Sequence, residues 1–322
     1  MKELLKGKYL SLATTILVLV VLFGGASMKY DGFFSARVVA NLFSDNAFLG
    51  IAAIGMTFVI LSGGIDLSVG AVIGFTTILM ATLVMDHQWH PLSAMALSLA
   101  VGTGFGYGMG YLIQRYELPP FLVTLGGLFL ARGMAFVVSA ESVGISGDFY
   151  DAILDKVIPV GPKALLSMTA VVFVLVLVVA MVLAHFTRFG RTVYAIGGSE
   201  SSARLMGLNV DGTKRLVYAM NGFCSALAGI VATFYMSSGN PTLGVGLELD
   251  AIASVVIGGT LLSGGVGYVF GTLIGVLIFG TIQTVLVFDG TLSSSWLRIA
   301  IGGLLLLFIL LQKLIAKGSQ TT

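Results

Sequence analysis

Leu61-Ser62-Gly63-Gly64-Ile65-Asp66-Leu67-Ser68-Val69-Gly70 interrupts one long apolar run, and Leu262-Ser263-Gly264-Gly265-Val266-Gly267-Tyr268-Val269-Phe270-Gly271 interrupts another. Aligned without gaps, windows 61–74 and 262–275 share Leu-Ser-Gly-Gly, then Gly70/Gly271, Ile73/Ile274 and Gly74/Gly275. Glycine admits backbone angles that end a helix. Unwound backbone at membrane depth is tolerated only where it is buried in protein or lines a cavity. Two apolar helices broken at Gly63, Gly64, Gly264 and Gly265 therefore predict a transporter.

The composition agrees with a membrane location. The 322 residues are 57% hydrophobic and 10% charged, against ~25% charged in a soluble domain. Such a chain cannot clothe a soluble surface and reads as one membrane domain over 1–322, with the lipid bilayer as its surroundings. The net charge of +2 is spread between apolar runs, which gives no nucleic-acid footprint. The single cysteine, Cys224, excludes an internal disulfide and reads as a packing residue. Lys2, Lys6 and Lys8 before an apolar run resemble a signal peptide, but no small-residue cleavage site follows, so a retained first helix is expected.

A helix needs ~20 apolar residues to cross the hydrocarbon. About ten transmembrane helices are predicted, near 10–27, 46–62, 66–85, 92–113, 121–140, 164–186, 214–238, 250–264, 267–287 and 296–314. The fold class is an all-α polytopic membrane protein with two glycine-broken helical hairpins, tight or re-entrant. With the N-terminus inside, Lys2, Lys6, Lys8, Arg115, Arg188, Arg191, Arg204, Lys214, Arg215, Lys313 and Lys317 fall inside, and only Lys29, Arg37, Lys156 and Lys163 fall outside. The excess of positive charge inside predicts that both termini are cytoplasmic. Two longer loops remain: 141–163 outside and 187–213 inside.

Several intramembrane polar groups are candidates for a substrate pathway: Asn46, Ser62, Asp66, Ser68, Arg132, Asn221, Asp250 and Gln283. Each also has a plainer reading. Asp66 fits a helix N-cap bonding near Ser68 or Val69, or an acid facing a permeation path. The second repeat carries Gly267 at this place, so the break itself needs no acid. Arg132 near mid-span requires a buried acid or carbonyl, or contact with a polar substrate. Asn221 and Gln283 can glue helices. Gly102, Gly106 and Gly110, like Gly70 and Gly74 or Gly271 and Gly275, make bare helix faces for close packing. No His, Cys and acid residues have metal-ligand spacing, and no nucleophile and base suggest catalysis. His87 and His90 read as solvated.

In the inside loop, Ser199 can cap a short helix over Glu200–Met206 that Gly207 ends. Ala203, Leu205 and Met206 would offer an apolar surface with Arg204 at its rim. A docking helix for a cytoplasmic partner is favoured over one lying on the bilayer.

The Gly55–Gly70 stretch, the Arg188–Asn209 loop and Asp250–Thr260 resemble the permease family of bacterial ABC importers for ribose, galactose and related sugars. The similarity covers nearly the whole chain. Asp45–Gly50 and Phe288–Trp296 are most similar to galactofuranose permeases. The resemblance implies a type II importer-like permease in the inner membrane, paired with a second permease subunit, a different sister chain. It also implies a cytoplasmic ABC ATPase, which would carry the ATP and Mg, and a periplasmic sugar-binding protein meeting outer loops such as 141–163. It assigns Arg188, Gly190, Arg191, Tyr194, Gly197, Glu200, Arg204 and Gly207 to the ATPase coupling loop. Leu-Ser-Gly-Gly also occurs as a signature of ABC ATPases, but no G-x-x-x-x-G-K-[ST] loop is present, so no cofactor is expected on this chain. The alternatives are a permease for ribose or galactose and, from other classes, an ion-coupled secondary carrier or a non-transporting scaffold. The scarcity of embedded acids argues against proton coupling.

Overall fold

A computed structural model of the chain describes residues 10–161, 164–291 and 295–320. Lys2, Lys6, Lys8, Lys163, Leu292, Ser293 and Ser294, and the side chains of Lys313 and Lys317, lie outside the described residues. Fourteen helices follow in order among those described. They are α1 (Leu10–Lys29), α2 (Ala36–Asp45), α3 (Ala47–Leu61), α4 (Val69–Met85), α5 (Pro91–Arg115), α6 (Pro120–Val138) and α7 (Asp148–Leu154). Then come α8 (Met168–Phe186), α9 (Arg188–Gly198), α10 (Glu200–Leu205), α11 (Val210–Met236), α12 (Leu247–Ile257), α13 (Val269–Asp289) and α14 (Ser295–Gln320).

The helices begin where local chemistry satisfies their free N–H groups. Ser35, Ser167, Thr187, Ser199 and Asn209 accept bonds from the first turns of α2, α8, α9, α10 and α11. Pro91 and Pro120 open α5 and α6, where a missing N–H costs nothing.

Six helices among the described residues are long and apolar enough to cross a membrane: α1, α5, α6, α8, α11 and α13. A seventh crossing arises if α2 and α3, bent by 58°, count as one. The expected count of ten is not reached among the described residues. The eighth expected span, 250–264, contains only the 11-residue α12, roughly 16 Å at 1.5 Å per residue. α4 is a shorter apolar helix of 17 residues. At the sixth, residues 164–167 form a strand, and the helix starts only at Met168. The outer loop 141–163 is more ordered than a loop: it holds α7, a two-residue strand (β1, Val143–Gly144) and β2 (Val157–Gly161). β2 pairs antiparallel with β3 (Ala164–Ser167), and β1 pairs with β4 (Ser238–Gly239).

α3 is the centre of the molecule, with every residue except Phe48 buried. α11, α12, α13 and α8 pack around it. The core unites Phe58, Ile60, Ile73, Phe173, Val217 and Ile274. In lipid, apolar contact gives little preference for helix over tail, so close approach and packing must hold the bundle. The glycine faces provide that approach. A Cβ at Gly106 would fall on the Tyr218 carbonyl of α11, and one at Gly222 on the Gly102 carbonyl of α5. Gly271 and Gly275 of α13 receive the backbone of Gly258 and Ser254 in the same way. Gly70 and Gly74 of α4 receive the irregular backbone at Pro241–Gly244, together with the side-chain ends of Glu248 from α12 and Arg132 from α6. The outer faces of α6 and α8 show Phe121, Leu122, Phe129, Leu130, Leu175 and Val179, as lipid contact requires.

Candidate functional site

The two repeats touch each other. Gly265 N donates to the Leu61 carbonyl at 3.0 Å, joining one break to the other. Gly63, Gly264 and Gly265 adopt left-handed φ values of 80°, 86° and 75°, which explains glycine at these places. Gly64 does not. The expectation that it turns the chain is corrected: a Cβ there would collide with the Tyr218 hydroxyl, so Gly64 makes room for a neighbouring side chain.

α9 closes the same junction from the third side. A Cβ on Gly197 would overlap the Leu61 carbonyl and Gly265 N, with Gly265 Cα at 3.0 Å. Tyr194, three residues earlier on α9, donates its hydroxyl to the Gly267 carbonyl at 2.8 Å. Burial pushes the Tyr194 phenol up to about 12, and nearby Tyr268 adds to the shift, so the hydroxyl stays protonated as a donor. Close packing at Gly197 and the Tyr194 hydrogen bond therefore seat the end of α9 against both helix breaks.

Above the first break, Asp66 is 1% exposed. Its Oδ1 accepts from Ser68 N at 2.8 Å and Ser68 Oγ at 2.7 Å, and its Oδ2 accepts from Asn221 Nδ2 at 2.8 Å. α4 starts at Val69 with Ser68 as the capping residue. Asp66 thus accepts from Ser68 N in the turn before the helix, two residues ahead of the capping Ser68 and not as the N-cap itself. The Tyr218 hydroxyl and Asn221 Oδ1 are buried there without hydrogen-bond partners among the described residues. Ser62 bonds back to the Val59 carbonyl.

Arg132 belongs to a separate cluster. Its Nη1 donates to the carbonyls of Pro241 at 2.5 Å and Leu243 at 2.8 Å. The Glu248 carboxylate interacts with it electrostatically. Arg132 thereby holds the segment between α11 and α12 against the bare face of α4. Asn46 donates to the Leu42 carbonyl at 2.9 Å, and a Cβ on Gly280 of α13 would strike its amide. Asp250 is half-buried, and Gln283 is exposed on α13. The structure brings Asp66, Ser68 and Asn221 together and leaves Asn46, Arg132, Asp250 and Gln283 apart. Tyr218, Glu248 and the Leu61 carbonyl were missed in the sequence. Tyr218 had a readable signal, lying three residues before Asn221 and so on the same face of α11.

The inside loop is two helices where one was expected. α9 exposes Arg188 and Arg191 and buries Gly190, Val193 and Ile196. Ser199 accepts from Ser202 N at 3.3 Å, and Gly207, at φ 73°, ends α10 as expected. Ala203 is fully buried against Ile196 and Val210, so it is not part of the apolar surface expected of it. Leu205 and Met206 supply that surface, 89% and 66% exposed. Glu200 pairs with Lys214 at 2.5 Å and Arg204 at 3.1 Å, and Arg204 reaches Asp211 at 2.8 Å. Partial burial raises the Glu200 carboxyl, but Lys214 and Arg204 outweigh it and hold the group below its ordinary value. Among the described residues no three His, Cys, Asp or Glu side chains gather as a metal site.

Residues 38–310 match a known family described as the permease component of the branched-chain amino acid transport system. The chain belongs to this permease family. It is 50% identical over 304 residues to the inner membrane ABC transporter permease protein YjfF of Escherichia coli K12, covering 94% of this chain and 92% of that one. It is 40% identical over 298 residues to the ribose import permease protein RbsC of Bacillus subtilis, covering 92% and 89%. Identity to the fructose import permease protein FruG of Bifidobacterium longum is 38% over 307 residues, covering 94% and 89%. No solved structure matches. The permease is a multi-pass inner-membrane protein of the ABC sugar importer type, a transport component and not an enzyme.

Proposed function

We propose that this permease forms one half of the translocation pathway of an ATP-driven galactofuranose importer. A sister permease supplies the other half, an ABC ATPase docks on the cytoplasmic face, and a periplasmic binding protein delivers the sugar. ATP and Mg belong to the ATPase; both termini of this chain lie on its side of the membrane.

The observation that carries the reading is the seat of Gly197 between the two breaks. The ATPase grips the exposed Arg188, Arg191, Leu205 and Met206 of α9 and α10. Closure of the nucleotide sites moves α9, and α9 cannot move without the backbone at Leu61 and at Gly265. α3 and α4 then shift relative to α12 and α13, and the path opens to the other side. The permease performs no bond chemistry. It turns the different affinities of two states for partner and sugar into direction. Asp66, Ser68 and Asn221 keep the first break rigid during this motion, so they serve the path as supports.

Galactofuranose is favoured by the similarity of Asp45–Gly50 and Phe288–Trp296 to galactofuranose permeases. The test is uptake of labelled galactofuranose by cells expressing the whole importer, with excess unlabelled ribose, fructose or allose. Uptake resistant to all three competitors supports the assignment. Competition by ribose at equal concentration would move the assignment to ribose.

A further inference from the structure

Between α5 and α6 runs an apolar groove of about 810 Å³, within the range of small-molecule sites. Phe105, Leu112, Leu122, Val123 and Leu130 form its walls. Its floor is open because Gly104, Gly108 and Gly126 leave space where a Cβ would meet nothing within 4 Å. The groove does not end blindly. Leu118 and Pro119 are shared with a cavity of about 540 Å³ of mixed lining, and Tyr111 with a polar one of about 240 Å³.

Those cavities hold Arg115, Arg204, Arg215 and Lys214. Arg204 and Lys214 are occupied by Glu200 and Asp211. Among the described residues Arg215 spends only its Nε, on the Asp211 carbonyl at 3.1 Å. Arg115 ends α5, is exposed, and has no side-chain partner among the described residues. Glu117 is the acid at this mouth without an ion pair among the described residues. Two guanidiniums with free donors among the described residues thus sit in a cavity that shares Tyr111 with the apolar groove. Arginine forks match phosphate oxygens, and basic pockets between helices on the cytoplasmic side suit anionic headgroups.

We infer that the α5–α6 groove binds one anionic phospholipid of the cytoplasmic leaflet, with an acyl chain along Phe105–Leu130 and its phosphate on Arg115 and Arg215. The occupant is a lipid and not another subunit because the walls match a chain and the mouth matches a phosphodiester. The headgroup would lie beside the Glu200–Arg204–Asp211 pairs that brace α10, so the lipid would steady the docking helices. The inference rests on the cytoplasmic placement of α10 given above, but not on which sugar is carried.

The test is native mass spectrometry of the purified, delipidated importer with added phosphatidylglycerol or phosphatidylcholine. One phosphatidylglycerol should be retained in preference. Arg115→Gln and Arg215→Gln should each reduce that preference about fivefold and leave phosphatidylcholine retention unchanged. Gly126→Leu, whose Cβ would meet nothing within 4 Å and whose side chain would occupy the groove, should abolish retention of both. Glu117→Gln should strengthen phosphatidylglycerol binding. Equal retention of the two lipids, or no effect of either arginine change, would overturn the inference. So would a disulfide from Gly126→Cys to an engineered cysteine on the sister subunit, because a subunit would then occupy the groove; the native Cys224 is buried and does not interfere. If phosphatidylglycerol binds but uptake is not ATP-driven, the transport reading fails and this one stands.

Discussion

Gly197 and Gly198 are neighbours on one helix and should behave as opposites. A methyl group at Gly197 lands on the Leu61 carbonyl and on Gly265 N, with Gly265 Cα at 3.0 Å. All three obstacles are backbone, so no side-chain rotation can relieve them. The end of α9 must retreat until carbon and oxygen recover a contact of about 3.3–3.6 Å, and the Gly265–Leu61 bond at 3.0 Å is put under strain. Overpacking of this kind costs about 1–3 kcal/mol. The same bias applied to a two-state coupling changes it about 5–150-fold. At Gly198 a Cβ meets nothing within 4 Å, and alanine there should stabilise by about 0.4–1 kcal/mol. The assay is sugar uptake per ATP hydrolysed in vesicles holding both permeases, the ATPase and the binding protein. Gly197→Ala should lower that ratio at least fivefold, while Gly198→Ala matches the unsubstituted permease. Equal ratios for the two variants would refute the mechanical junction.

The buried carboxylate gives a second prediction. Asn221→Ala removes one of three donors to Asp66 and should cost about 2–3 kcal/mol; measured with Asp66→Asn in a double-mutant cycle of thermal stability, the two losses should not add, and additive losses would deny the bond. Acid should loosen α10 through Glu200. Its folded value is lowered from 4.5, so its stabilisation is complete above about pH 5 and is lost as pH falls through that lowered value. Hydrogen-exchange protection factors at Ser201–Leu208, taken relative to the intrinsic rate at each pH, should therefore fall below pH 4.5 in the permease but change less in Glu200→Gln, which starts less protected; identical profiles would contradict the assignment. Leu205→Glu together with Arg191→Glu should abolish copurification with the ATPase while the melting temperature stays within a few degrees, since both residues are exposed; intact copurification would place the contact elsewhere.

The first break, after Leu61, was legible because glycine acts locally; the second helix ends at Ile257, before the Gly264-Gly265 pair at which the break was expected. Gly63, Gly264 and Gly265 turn the chain as their repeat implies. The Ser199 cap and the Gly207 stop also follow from nearest neighbours. What the sequence hid depends on contacts far along the chain. Nothing near residue 197 announces that Leu61 and Gly265 will lie against it. Hydropathy made 250–264 look like a span, because Gly258, Gly259 and the apolar residues beyond Ile257 carry the pattern without carrying the helix. Ala203 looked like surface by composition, yet α9 and α11 fold over it. Arg132 was readable as needing carbonyls or an acid, but Pro241 and Leu243, more than a hundred positions away, could not be named.

The source of energy is the point on which the account turns. The most direct measurement loads vesicles with ATP and the complete importer and follows labelled galactofuranose, with proton and sodium gradients collapsed. Accumulation against the gradient that stops when ATP is withheld is the predicted result. Accumulation by this permease alone, driven by an ion gradient without an ATPase, would contradict it.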